Sequence, residues 1–530
     1  MENESKVQRG RFYWICHNSL VGMRNCWKKR PWFFAISAVA MVIFLAIARA
    51  WVQPLVLSLR IYSFELVMGL ILLVLLMRYR SRLRWRGWGV VVLIFTLVGV
   101  GHWYFHWAPH QYITLYLQYQ SLDIEELDSL PQTDYERIQP LHSIRVLAKE
   151  AMNEVQQMSD PYFVRIDEQY RWTMSVEPSF IVPRLFGGVT EVINVSATAP
   201  SPSFSHESRH KVFFSVGEKL ALGKSSHIAT IRSFGLMRYL SYQPADVKYV
   251  KNDNGEWVEL VSLIRWRGIF FPRPEFGGVQ VIRQNHSGFF GSIKHWLTLM
   301  FAGEGEWIPP EEVKNYPYLR GQNLVPYEVG RYVAQSFRFQ NGFFAPFPGF
   351  HRGDIRIPDL PSDVNDQPFI TFFRFPGASD KSKLYQYFAL EPYEEVRQGL
   401  NTSILFPADN VGPIRVYHHS KRNEALVGVS TIAAKVMESR KYYDWRQSRP
   451  AEHRPYIKVI DGKTRFMWLT TVVTYKAGSA EGDDYIAGSL PEVALTDANY
   501  RQVVWMKPNQ LSSDWPAELK RELGPIWKSN

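Results

Sequence analysis

Three histidines, His102, His106 and His110, recur four apart in GHWYFHWAPH (101–110). Side chains at that spacing share one face of a helix, so a metal or haem site is the first chemistry to weigh. A bis-histidine haem needs a ligand from a second helix, and the neighbouring apolar runs hold no other histidine. Pro109 disfavours helical geometry at Ala108 and takes His110 off the stripe. Trp103, Tyr104 and Trp107 are amphipathic rings suited to a lipid–water boundary. The expectation is an interfacial aromatic belt, with no cofactor.

Glu65 lies inside an apolar run, and an ionisable group there is a functional hypothesis by default. Glu65, Arg60, His102 and His106 form the candidate ionisable cluster. Glu65 would pair with His102 or Arg60, or serve a proton or ion path. Glu304 and Glu306 in GEGEW are spaced for a carboxylate pair on one strand face, as glycosidases require, and read more simply as a solvated edge. Adjacent His418 and His419 point to opposite faces of a strand and make poor joint ligands. Asp359, Asp363 and Asp366 lack the spacing and glycine of a calcium loop. The tripeptide Arg352-Gly353-Asp354 is too short to mean adhesion. No CxxC, GxSxG, Walker loop or strand-linked GxGxxG appears.

The chain has 530 residues, 46% hydrophobic and 15% aromatic, enough for several domains with a large core. Its net charge is +11. The first 108 residues hold fourteen bases and three acids, which leaves 47 of each beyond them. The larger part is therefore electroneutral, and no basic face for nucleic acid is implied.

The first fifth contains three long apolar runs, 33–52, 61–77 and 88–107. At 20, 17 and 20 residues, each matches the length that crosses a bilayer core, and they predict three transmembrane helices. Seven bases precede the first run and five arginines fill RYRSRLRWR between the second and third. Positive charge marks the cytoplasmic side, so the tail 1–32 is expected inside and residues 109–530 outside. Both cysteines, Cys16 and Cys26, fall in that tail, so the exported part must be held by its own core. A bacterial inner membrane is the expected location.

Residues 109–159 are expected to form a helical stalk, because Ile144, Leu147, Ala148, Ala151, Val155 and Met158 keep helical spacing. Residues 160–484 alternate in short runs and predict a β-rich domain of one or two subdomains, with 485–530 as a C-terminal segment. Three stretches, 160–176, 247–266 and 454–474, predict β-hairpins. Asn254-Gly255 and Asp461-Gly462 give two of them a two-residue turn signal. Tyr-to-Trp spacings of 10, 8 and 12 keep no common period, so convergent hairpins explain them better than repeats.

DPYFVRIDEQYRW, preceded by IRVLAKEAMNEV, resembles the signature DPYxVxxDGxxxW that follows an amphipathic helix in an uncharacterised bacterial multi-pass membrane family. RPYIKVIDGKTRFMW is similar to it too, and Glu168 stands where the family has glycine. The resemblance covers a few dozen residues. It implies a membrane anchor with a large external domain and no activity.

FRFQNGFFAPFPGFH (337–351) and FITFFRFPG (369–377) concentrate phenylalanine. Alternation in Phe337-Arg338-Phe339 predicts a half-buried strand, and the Pro-Gly breaks a surface loop. Phe343, Phe344, Phe347 and Phe350 are the candidate binding surface, able to anchor a protein or stack on an envelope polymer. The expected function is a non-enzymatic, membrane-anchored scaffold or assembly subunit of a cell-envelope complex, a homo- or hetero-oligomer touching membrane lipid and protein partners. An envelope polysaccharide-processing enzyme and a transporter or channel subunit are the alternatives.

Overall fold

A computed structural model describes residues 31–79, 109–137, 139–150, 152–167, 169–199, 204, 208–285, 295, 297–347, 351, 353–360, 367–375, 382–393, 399–476, 486–487, 492–507 and 513–529. Its helices are α1 (Pro31–Ile61), α2 (Ser63–Tyr79), α3 (Pro109–Gln120), α4 (Leu141–Glu150), α5 (Ile181–Phe186), α6 (Ser226–Ser233), α7 (Leu236–Tyr239), α8 (Tyr327–Ser336), α9 (Ile432–Ser439) and α10 (Trp515–Ser529). Strands dominate the rest, in four sheets.

The expectation of three N-terminal transmembrane helices is not met. Among the described residues, no single helix is long and apolar enough to cross a membrane. The first apolar run and the expected loop after it are one helix, α1, which breaks at Tyr62. Ile47–Ile61 and Ser63–Val74 satisfy length and composition only as a pair bent by 67°. The reason is visible in α1 itself. Arg49, Gln53 and Arg60 interrupt its apolar surface and bind carbonyls of the β-rich body, so residues 53–60 continue the helix along that body. The third run, 88–107, lies outside the described residues.

The stalk is also replaced. Helix α4 covers ten residues, with Ile144 and Ala148 fully buried. Pro140 lies just ahead of its first turn, where a missing N–H costs nothing. Strands Ile124–Glu126, Gln132–Asp134 and Gln156–Met158 take up the flanks and join two different sheets. The segment is thus woven into the body.

The central sheet has strand order 124–126, 414–418, 402–407, 383–392, 369–374, 132–134, with 355–356 added to 383–392. Its first pair is parallel and its other pairings are antiparallel. It is covered on both faces, which explains the near-continuous apolar run FITFF. Phe369 and Phe373 point into a core shared with Trp468 and α9. Ile370 and Phe372 point the other way, against Trp172, Met174 and α4. On the first side lies the sheet 448–460, 463–476, 492–497, 503–506, whose outer face is sealed by Trp515, Leu519 and Leu523 of α10. On the second side lie the sheet built on 169–178 and the sheet 306–308, 273–283, 257–267, 242–251. Residues 485–530 accordingly complete a sheet and its cover.

All three predicted hairpins form, each in a different sheet. Asp461-Gly462 closes a two-residue turn with φ of 54° and 73°. Asn254-Gly255 lies instead in a five-residue loop between Lys251 and Trp257. The Asn252 side chain accepts from the N–H groups of Asn254 and Glu256, which draws the extra residues into the turn.

One polar cluster joins three sheets. Arg137 pairs with Glu452, and Glu452 also accepts the Leu141 N–H at 2.8 Å. Arg454 Nε stands 3.7 Å from the same carboxylate, while Lys458 Nζ reaches Glu136 Oε1 at 2.7 Å. The Arg137 guanidinium lies over Phe163 and Trp172 of the neighbouring sheet. Every one of these charges except Lys458 is buried. Loss of hydration, with Arg137 beside it, pulls Arg454 down to about 9, and Glu452 and Glu136 oppose that pull.

Removing one partner of such a group leaves an uncompensated charge in the interior. Glu452→Gln should therefore lower unfolding stability by about 3–5 kcal/mol, read from the urea midpoint. A second outcome concerns acid. His453 is fully buried, its Nδ1 is 2.9 Å from Thr470 Oγ1, and loss of hydration holds its imidazole down to about 3 against an ordinary 6.5. The unfolded chain is then the better proton binder below 6.5. The His453 contribution is intact above that pH and is lost as pH falls toward 3, by about 1.4 kcal/mol per unit. Between about pH 7 and pH 5, His453→Gln should flatten the fall in midpoint relative to wild type.

Candidate functional site

The aromatic loop begins where α8 tightens into a 3-10 turn, Phe337–Phe339. The alternation in this stretch is therefore helical, not that of a strand, and both Phe337 and Phe339 are buried. Arg338 projects from the turn and donates to Asp354 twice, Nε to Oδ1 at 3.0 Å and Nη2 to Oδ2 at 2.7 Å. Asp354 is buried, and His351 Nδ1 stands 3.1 Å from Oδ2. The His351 ring stacks on Tyr393 at 4.0 Å. Asn341 Nδ2 donates to Gly353 O at 2.8 Å. Gly342 (φ 105°) and Gly353 (φ 72°) supply turns that a side chain would oppose. With Asp354 spent on Arg338, the Arg-Gly-Asp tripeptide presents no free carboxylate.

Between these ties the loop lifts three rings off the surface. Phe343 meets Tyr112 and Tyr116 of α3 edge-on at 5.1 and 5.0 Å, and Tyr112 Oη donates to Phe343 O. Burial pushes the Tyr112 phenol up to about 12. Phe344 makes T-shaped contacts with Phe343 at 5.3 Å and Phe347 at 6.4 Å and is 65% exposed. Phe343 and Phe347 are 36% and 43% exposed. Phe350 lies outside the described residues. The arrangement is a fixed aromatic knob, suited to burial by a partner and carrying no acid, base or nucleophile.

The ionisable cluster is rearranged. Glu65 Oε1 meets His110 Nδ1 at 2.6 Å and the His110 N–H at 3.1 Å, which ties α2 to α3. Arg60 reaches the body instead, donating to Leu240 O and Ser241 Oγ at 2.6 Å and to Gly268 O at 2.7 Å. His102 and His106 lie outside the described residues. Arg60 and Glu65 therefore hold different joints.

Other candidates separate as well. Glu304 turns inward to Ser215 (2.7 Å) and His295 (3.4 Å), while Glu306 pairs outward with Arg283 at 3.0 Å. His418 and His419 do face opposite ways, toward Thr402 and Ser403. Asp359 is exposed near Arg356, and Asp363 and Asp366 lie outside the described residues. Among the described residues no group of three or more His, Cys, Asp or Glu could hold a metal ion.

Motif reading missed two features. HESRH (206–210) has the HExxH spacing of zinc proteases. His210, however, lies on a strand, Arg209–Phe214, and its Nε2 meets Asn194 Nδ2 at 2.9 Å. His206 and Glu207 lie outside the described residues. The second feature is a Ser–His–Glu relay: Ser403 Oγ to His419 Nε2 at 2.9 Å, His419 Nδ1 to Glu424 Oε2 at 2.8 Å. Tyr387 Oη closes its far end at 2.7 Å from Ser403. Ser403 and His419 are wholly buried, so the relay fastens strands and offers no nucleophile to a substrate. Burial pulls the His419 imidazole below its ordinary value, against the opposing pull of Glu424. Sequence spacing alone carries no signal for it, because Ser403 belongs to a neighbouring strand.

No family model matches this chain, and no curated protein matches it. Among solved structures, an uncharacterized protein from Eubacterium rectale ATCC 33656 aligns with 49% of this chain and 76% of its own, at 9% identity and a TM-score of 0.14. A likeness at that level carries no argument about fold or activity.

The knob depends on Asp354. Asp354→Asn weakens the paired bonds from Arg338 and should make local opening of the loop easier by about 1–3 kcal/mol. Hydrogen exchange at residues 340–347 should speed up accordingly, while amides of strand 383–392 keep their protection.

Proposed function

We propose that this chain is a non-enzymatic scaffold, an assembly subunit of a cell-envelope complex that holds a protein partner at the Phe343–Phe344–Phe347 knob. The observation that carries the reading is Phe344, a large ring left open next to Phe343, which packs on Tyr112 and Tyr116. Pre-organised aromatic anchors bind with little further loss of side-chain freedom, and they are where binding energy concentrates. The inward placement of the Ser403 relay and of Glu304 fits the same reading, since both are committed to internal hydrogen bonds. A location at the envelope is part of the proposal and is supported by the apolar surface of α1 and α2.

A photo-crosslinking side chain at position 344 should join the chain to one partner that also co-purifies with it after gentle detergent extraction. Phe344→Asp should abolish the co-purification while changing the unfolding stability of the body by less than about 0.5 kcal/mol. Adducts that are absent, and a chain that always runs as a lone monomer, would remove the basis for the proposal.

A further inference from the structure

Helix α5 (IVPRLF) buries none of its residues. Ile181 and Phe186 are 70% and 72% exposed, although a six-residue helix of this composition gains nothing by facing water. The same holds at the neighbouring tips. Leu222, Met237, Ile269 and Phe270 are all exposed, from the turn 222–224, from α7 and from the 268–271 turn. These four elements belong to one edge. The Ala221 N–H donates to Arg184 O at 3.1 Å, and Lys224 Nζ to Phe186 O at 2.9 Å, which joins α5 to the turn 222–224. Arg232 of α6 lies against Gly223 and donates to Ile47 O of α1 at 3.3 Å. Gln53 then reaches Tyr239 O of α7 at 3.2 Å, Arg60 reaches Gly268 O at 2.7 Å, and Ser63 reaches Ile269 O at 2.8 Å. Helix α1 and the start of α2 therefore run beside this edge from residue 47 to 63, about 24 Å at helical rise.

We infer that this edge is a lipid seat, with its apolar tips placed in the headgroup–acyl boundary of an anionic bilayer. Three observations choose lipid over water or a folded partner. First, the edge is continuous with α2, where Leu66, Val67, Met68, Leu70 and Ile71 are exposed around the whole circumference, leaving no polar face to turn to solvent. Second, the tips are small apolar groups on separate turns, Phe180–Val182 with Phe186, Leu236–Met237 and Ile269–Phe270, a pattern suited to a fluid apolar medium. Third, segments 180–187, 221–225, 235–241 and 268–272 hold three bases, Arg184, Lys224 and Arg238, and no acid. Arg184 and Lys224 also donate to the Lys219 and Phe186 carbonyls; the net positive charge of these segments remains, and beside an apolar edge it draws anionic headgroups. Nothing in this seat requires any helix to cross the bilayer. The inference goes beyond the scaffold reading and does not depend on the aromatic knob.

The test uses the full chain with Cys16 and Cys26 replaced by serine, and single cysteines in turn at Phe186, Met237 and Ile269. Each is labelled with an environment-sensitive nitrobenzoxadiazole probe. Exposed Tyr442 and Val459 provide the control positions. The labelled chain is reconstituted in vesicles of phosphatidylcholine with a minority of phosphatidylglycerol. Edge probes are expected to shift to shorter wavelength, to lose most of their emission to lipids brominated in the acyl chain, and to resist aqueous iodide. Control probes are expected to do the reverse. Iodide quenching at the edge equal to that at Tyr442 would overturn the inference. A blue shift with no quenching by brominated lipid would also overturn it, because protein would then cover the edge. Loss of the crosslink at position 344 leaves these readings unchanged, so the two proposals fail separately.

Discussion

The body is held at one junction, where Arg137, Glu452 and Arg454 meet out of water. Segment 135–137 comes off the edge of the central sheet and brings Arg137 against Phe163 and Trp172 of a second sheet. Glu452 comes from a third sheet, at a bulge between Ala451 and His453 where its own φ is 51°. A buried carboxylate in that conformation is tolerable only because the surroundings supply two guanidinium groups and a backbone N–H. Apolar cores fill the space between the sheets, and they would tolerate small shifts. The charge junction tolerates fewer, since each partner left alone would remain without hydration. It thereby sets the mutual placement of the sheets that the cores only cement.

The same aromatic residue serves opposite ends according to where its backbone runs. In FITFF every ring is in the core, because the central sheet is covered on both faces and alternation has no open side. In FRFQNGFF the helical turn buries Phe337 and Phe339, and the glycine-bounded loop that follows leaves Phe343 and Phe344 exposed. Composition treats both segments alike. The difference arises from α8, whose last turn tightens, and from the Arg338–Asp354 pair that holds the loop off the surface.

Local patterns were legible in the sequence to the extent that short-range forces decide them. The three hairpins follow from β-rich runs flanking a turn, and Asp461-Gly462 takes its turn with no help from elsewhere. At Asn254-Gly255 one side chain two residues upstream altered the loop, and pattern reading overlooks such competition. The exposed aromatic candidates Phe343, Phe344 and Phe347 were visible as a loop between breaks. The Ser403–His419–Glu424 relay was not, because register between strands places its members. Nor was the joining of the first apolar run to the residues after it. Hydropathy counts side chains one window at a time, and Gln53, Pro54 and Arg60 read as a loop between two spans.

Those interrupting residues have a specific employment. Short helices leave their last carbonyls without partners, and α6 and α7 have eight and four residues. Arg49 donates to Arg232 O at the end of α6, Gln53 to Tyr239 O at the end of α7, and Arg60 to Leu240 O just beyond it. Cations at helix C-termini also meet the favourable end of the peptide dipoles. Helix α1 is thus docked by capping two other helices. A rule that counts arginines flanking apolar runs as markers of sidedness assumes that they are free to sit in headgroups or water. Here Arg49 and Arg60 are held at carbonyls of the body, which explains why α1 follows the β-rich edge past Pro54 before it bends.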